Sequence, residues 1–171
     1  MNFNYGLGIQ EIDKEKISLN INHREAVRAI ILRDNNILMV HTNKGDYKFP
    51  GGGALEEEGH EQTLNREVRE ETGHIVNNVK GIVGIVTERH IDEYDENSIF
   101  EMVSSYYMCE VSDSKTTQQL DDYESELNFQ PVWVLLDEAI KVNEEILSKN
   151  DVNTNSWVLR ETTVLKAIKE I

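Results

Sequence analysis

The chain is short of most things that anchor or staple a protein. It has one cysteine, Cys109, in 171 residues. A lone thiol excludes an intrachain disulfide framework and fits a cytoplasmic, reducing compartment. Cys109 lies within an apolar strand pattern, so a buried core thiol is expected rather than a nucleophile. No apolar run approaches the ~20 residues of a membrane-spanning helix, and no leader pattern opens the sequence. Only two prolines, Pro50 and Pro131, interrupt the chain, and no repeat or low-complexity segment is present. Positive charge is the other shortage. Lysine and arginine total 17 against 32 acidic residues, for a net charge of −15 at pH 7. Nucleic acid and anionic membranes both need cationic surface, so neither is expected as a partner. An acidic protein that handles phosphates must bring them in through metal ions and a few local basic residues.

What the chain does have is concentrated between Gly52 and Gly73, GGALEEEGHEQTLNREVREETG. A helix advances about 100° per residue, so Glu67, Glu70 and Glu71 fall within an arc of roughly 100° on one face. Leu64 and Val68 flank that arc on the Glu71 side, which places the acids beside the buried stripe. Like charges at these spacings destabilise a helix by a few tenths of a kcal/mol per pair, and more when desolvated. Nothing structural recommends the arrangement unless a cation offsets it. Hard divalent ions such as Mg²⁺ take carboxylate oxygens together with water and phosphate. Upstream, Phe49-Pro50 reads as a strand end, and Gly51, Gly52 and Gly53 allow close approach to the backbone. Gly73 stands where a left-handed helix end is wanted, and Arg66 is one turn before Glu70, a spacing for an ion pair.

The spacing of Gly52, Glu58, Arg66-Glu67, Glu70-Glu71 and Gly73 resembles the signature of the Nudix hydrolases, which cleave nucleoside diphosphates linked to another group. One position departs from it: His74 stands where an aliphatic residue is usual, with Ile75 after it. The resemblance implies Mg²⁺, with Mn²⁺ as substitute, held by Glu67, Glu70, Glu71 and the Gly51 carbonyl. It also implies a general base on the helix or on a separate loop. Glu70 and Glu126 are the candidates, with Glu124 as the other carboxylate of that loop. Gly52, Glu58, Arg66 and Gly73 take structural roles. The expected partner is a small-molecule nucleotide. The subfamily marks outside the motif are missing, including the downstream proline of the ADP-ribose type. By elimination a nucleoside triphosphate is left, intact or oxidised as in the MutT-like branch. A nucleotide sugar, an ADP-ribose-type substrate and a silent nucleotide sensor stay open, as does a homodimer.

Elsewhere the pattern is that of an α/β protein. Strands are expected at 3–9, 26–32, 37–40, 79–91, 99–111 and 129–135, with a turn at Asp34-Asn35-Asn36. Charged residues 11–16 and polar residues 112–125 read as loops. Helices are expected at about 60–72, 137–147 and from 155. The order resembles the Nudix α/β/α sandwich with a mixed sheet, over a core of about 24–147 in a single domain spanning 1–171. Residues 1–23 and 148–171 lie outside that resemblance. Glu101 is expected to face solvent. Arg24, Arg28, Lys44, Lys48 and Arg89 are unranked phosphate contacts, while Phe49, Tyr106 and Tyr107 are read as core.

Overall fold

Alternation along two strands sets the architecture. Val27, Ala29 and Ile31 point to one side and Ile30 to the other; in the next long strand Leu38 opposes Ile37 and Met39. Both faces are therefore buried, and helices must cover both. The computed structural model describes residues 2–8 and 20–171, so the charged stretch at 11–16 lies outside the described residues. In chain order the elements are β1 (Phe3–Gly8), β2 (Asn20–Ile30), β3 (Leu32–Arg33), β4 (Asn36–His41), β5 (Tyr47–Lys48), α1 (His60–Thr72), β6 (His74–Ile91), β7 (Ser98–Lys115), α2 (Asp122–Glu126), β8 (Gln130–Leu135), α3 (Leu136–Ser148) and α4 (Val158–Lys169).

Two sheets form. One runs β1-β6-β7-β2, and in the other β4 is flanked by β3, β5 and β8. The first sheet is mixed: β1 is parallel to β6 and β2 to β7, while β6 and β7 are antiparallel. Leu64 and Val68 of α1 pack on Val27, Ala29, Ile31 and Leu38. On the opposite face Ala139 and Ile140 of α3, with Val164, Leu165 and Ile168 of α4, cover Ile30, Ile37, Met39 and Tyr106. The result is an α/β/α sandwich. No helix among the described residues is long and apolar enough to cross a membrane.

Several expectations shift at their edges. The turn after β3 holds Asp34 and Asn35 at φ 49° and 64°, a left-handed pair suited to a tight hairpin. Residues 112–125 are not a plain loop: β7 extends to Lys115, and Asp121 caps the short α2 by accepting from the Glu124 N–H. The final helix begins at Val158 rather than 155. Glu101 does not simply face water, because it accepts from Arg89 at 2.6 Å and is paired with His23 at 2.9 Å. Cys109 is buried, as are Phe49 and Tyr106, while Tyr107 packs half-buried against the same layer as Val27.

Candidate functional site

Helix α1 delivers two carboxylates inward. Its start is held by Gly59, whose N–H donates to the Gln62 side chain at 2.9 Å. Its end is Gly73 at φ 71°, the left-handed cap that only glycine adopts without strain. Between them, the four-residue repeat that buries Leu64 and Val68 also turns Glu67 and Glu71 toward the seam between helix and sheets. Glu67 is 9% exposed and Glu71 2%. Gly52 makes room for them, since a Cβ there would lie 2.5 Å from the Glu67 carboxyl carbon.

A third carboxylate comes from outside the motif. Oxygens of Glu67, Glu71 and Glu124 lie within 4.8 Å of one another. The Gln118 side-chain amide holds the approach to α2 in place by donating to the carbonyls of Glu71 and Phe129. On α2, one Glu124 oxygen accepts from the Asp121 N–H at 3.0 Å. The loop carboxylate at the group is therefore Glu124. Glu126 lies outside it and is exposed, with its backbone carbonyl bonded to Asn43. Both residues are loop acids in the sequence; only the capping geometry of Asp121 separates them.

The electrostatics are those of a crowded acid set. Burial pushes the Glu124 carboxyl up to about 7, with the Glu71 charge adding to it and the Asp121 N–H opposing. Burial and Glu71 also raise Glu67, against the pull of Arg66. Glu71 has two partners, Lys48 Nζ at 2.5 Å and the Gly51 N–H at 2.9 Å. Arg66 is a hub. It grips both oxygens of Glu58 at 2.9 and 2.7 Å, Glu67 at 2.6 Å, Glu70 at 3.2 Å and the Gly53 carbonyl at 3.1 Å. Those bonds hold the Glu58 carboxyl down at about 2 and keep the guanidinium charged. Glu70 sits on this hub, outside the three-carboxylate group. The Gly51 carbonyl accepts a hydrogen bond from Arg28, whose Nε is buried with no partner among the described residues.

A cavity of about 400 Å³ opens on this set. Its walls carry the three carboxylates and Lys48, the cations Arg24, Arg28 and Arg160, and the aromatic side chains of Tyr123, Phe129 and Trp157. Arg24, Arg28 and Lys48 thus reach the cavity from the list of candidate cations. Lys44 instead bonds the Asn153 carbonyl, and Arg89 is taken by Glu101. Sequence reasoning missed Arg160 and Trp157, which belong to the C-terminal segment; the helical spacing there signalled packing only. An all-oxygen donor set with surplus negative charge fits a hard divalent cation.

Residues 22–155 match the NUDIX domain family, and the chain belongs to it. It is 35% identical over 81 residues to the ADP-ribose pyrophosphatase of Methanocaldococcus jannaschii. That match covers 45% of this chain and 47% of the relative, about half the length of each. Among solved structures it resembles a NUDIX hydrolase from Nitrosomonas europaea, with a TM-score of 0.53 and 19% identity over 87% of this chain and 88% of that one. A MutT NUDIX hydrolase from Burkholderia pseudomallei aligns with a TM-score of 0.51 and 23% identity over 68% and 85% of the two chains. At these identities the likeness is one of fold.

Proposed function

We propose that this protein hydrolyses a phosphoanhydride bond in a nucleoside diphosphate linked to a further group, using Mg²⁺ or Mn²⁺. The observation that carries the reading is the convergence of Glu67, Glu71 and Glu124 in a cavity also lined by Arg24 and Arg28. Carboxylates alone would repel a polyphosphate. Glu67 and Glu71 would hold the metal beside Glu124, and when bound it would offset phosphate charge and lower the pKa of water. An ion taking the Gly51 carbonyl as well would face the Arg28 guanidinium bonded there, so the carboxylates carry the assignment.

The protein's own groups supply the rest. Lys48 and the Gly51 N–H orient the Glu71 carboxylate, and Arg66 orients Glu67. Arg24 and Arg28, which line the same cavity, would donate to the substrate's phosphate oxygens. Glu124, rather than Glu70 or Glu126, holds the proton of the attacking water, because Glu70 is engaged by Arg66 and Glu126 lies outside the group.

For the substrate, the missing subfamily marks favour a nucleoside triphosphate. The similarity to an enzyme named ADP-ribose pyrophosphatase favours a second reading, a nucleoside diphosphate joined to a sugar. The test is turnover of a panel of triphosphates, oxidised triphosphates, ADP-ribose and nucleotide sugars with Mg²⁺, by wild type and Glu71→Gln. We expect the variant to lose on the order of a hundredfold or more in kcat, the scale of losing one preorganised electrostatic partner. A folded Glu71→Gln protein with full activity would sink the assignment.

A further inference from the structure

We propose that the base of the nucleotide seats in an aromatic corner formed by Tyr123 and Trp157, so that Trp157, beyond the family-matched range, takes part in selecting the substrate. The proposal takes the ligand's class from the function above, but it stands on different side chains.

The NUDIX match ends at residue 155, yet Ser156, Trp157 and Arg160 line the same cavity as the three carboxylates. Tyr123 and Trp157 stand edge to face, with ring centroids 6.4 Å apart and planes at 88°. Two aromatic planes at a right angle give a flat base a face to stack on and an edge to abut in one placement. A phosphate cannot use that shape. The indole is held before any ligand arrives. Its Nε1–H donates to Asp46 at 2.7 Å, and the buried Asp46 carboxylate also accepts from Thr42 at 2.6 Å and Asn155 at 2.8 Å. Behind it lie Val40, Leu127 and Phe129. A ring fixed in this way loses little freedom on binding.

Tyr123 argues that the corner is more than packing. It is 55% exposed, so burial gives it little reason to be aromatic. It also immediately precedes Glu124 on α2, so the aromatic wall and the third carboxylate are carried by one turn of chain. Ser156 and Asp121, at the same wall, offer hydrogen-bonding groups to the edge of a base.

The chain has two tryptophans, and Trp133 packs outside the cavity against His74 and Arg33. Trp133→Phe therefore leaves Trp157 as the single tryptophan reporter. The Trp133→Phe protein is titrated with α,β-methylene-ADP and Mg²⁺, and in parallel with a mixture of methylenediphosphonate and ribose 5-phosphate, which together supply the phosphonates and the sugar and no base. A saturable change in Trp157 emission with the first ligand and none with the second is expected. In a second arm, exposed Tyr123→Ala should raise KM for the best substrate about tenfold while changing kcat far less, as loss of one stacking partner does. The corner is overturned if Trp157 emission ignores the nucleotide analogue, or if Tyr123→Ala leaves KM unchanged. A base-dependent emission change in a protein that hydrolyses nothing would uphold the corner and remove the hydrolase reading instead.

Discussion

Two charge networks border the cavity, and they are balanced differently. Around α1, five carboxylates (Glu58, Glu67, Glu70, Glu71 and Glu124) share two cations, Arg66 and Lys48. Around α4, Arg160 pairs with Glu161 at 2.7 Å and Glu88 at 2.6 Å, and Arg28 lies close enough to feel Arg160 and Glu161, and also Glu71 of the first set. That second set holds two arginines and two glutamates. In that set each glutamate meets an arginine, and no surplus is left for an added cation to offset. A set with surplus negative charge beside an open cavity is stable only at a cost, unless a cation arrives. Burial and charge in both networks are alike in kind; the surplus is what sets one of them apart.

The largest expected effect breaks the balanced set. Arg160→Met keeps the length of the side chain and removes its charge, leaving Glu161 and Glu88 without their partner. Glu161 is fully buried and also accepts the Phe49 N–H at 3.0 Å, so it cannot relax to water. We expect a loss of about 3–5 kcal/mol, read as a fall in Tm of roughly 10 °C for a chain of this size. A variant as stable as wild type would mean that the α4 network is not structural, and the comparison would fail.

The next effect sharpens the other side. In the absence of metal, Glu67→Gln removes a charge that burial and Glu71 already disfavour, so this variant should be at least as stable as wild type. Mg²⁺ should then separate the two proteins. At a hundredfold excess over its dissociation constant, a bound ion adds about 2.7 kcal/mol to a protein that binds it only when folded. Thermal unfolding with and without Mg²⁺ should show that gain in wild type and little of it in Glu67→Gln. Equal Mg²⁺ stabilisation of both would place the ion elsewhere.

How far this contrast was legible in the sequence depends on how local each contact is. Glu67 and Glu71 share a helix face by spacing alone, and Arg66 reaches Glu70 by the same arithmetic. The strands and α1 are legible because their periodicity is regular over long stretches. Glu124 is not separable from Glu126 by any pattern, since its place depends on an Asp121 cap and on Gln118 reaching back to the Glu71 carbonyl. Arg160 meets Glu88 across 72 residues, a pairing that only the packing of α4 creates. Glu101 read as solvent-facing for a related reason: Arg89 and His23 reach it from neighbouring strands. Local geometry disclosed the unbalanced network, and tertiary packing concealed the balanced one.

The smallest effect tests whether an unmet buried group always signals function. His74 is 2% exposed, and its Nε2 is buried with no partner among the described residues, while its ring lies edge-on to Trp133. It does not line the cavity. Burial, with Lys115 and Arg33 nearby, pushes its pKa below the ordinary histidine value. The unfolded chain therefore binds the proton more readily than the folded one. Stability contributed by the neutral ring is present above about 6.5, the ordinary value, and is lost as pH falls through that value toward the folded one. His74→Ile supplies the aliphatic residue that the motif's resemblance implies. It gives up the Nδ1 contacts with Thr72 at 3.2 Å and relieves the orphaned nitrogen. The net gain in stability should be under about 1 kcal/mol, with a flatter stability curve between pH 7 and pH 5 and unchanged turnover. If turnover instead fell with the fold intact, the unmet nitrogen would belong to the functional set, and charge surplus beside a cavity would no longer suffice to define it.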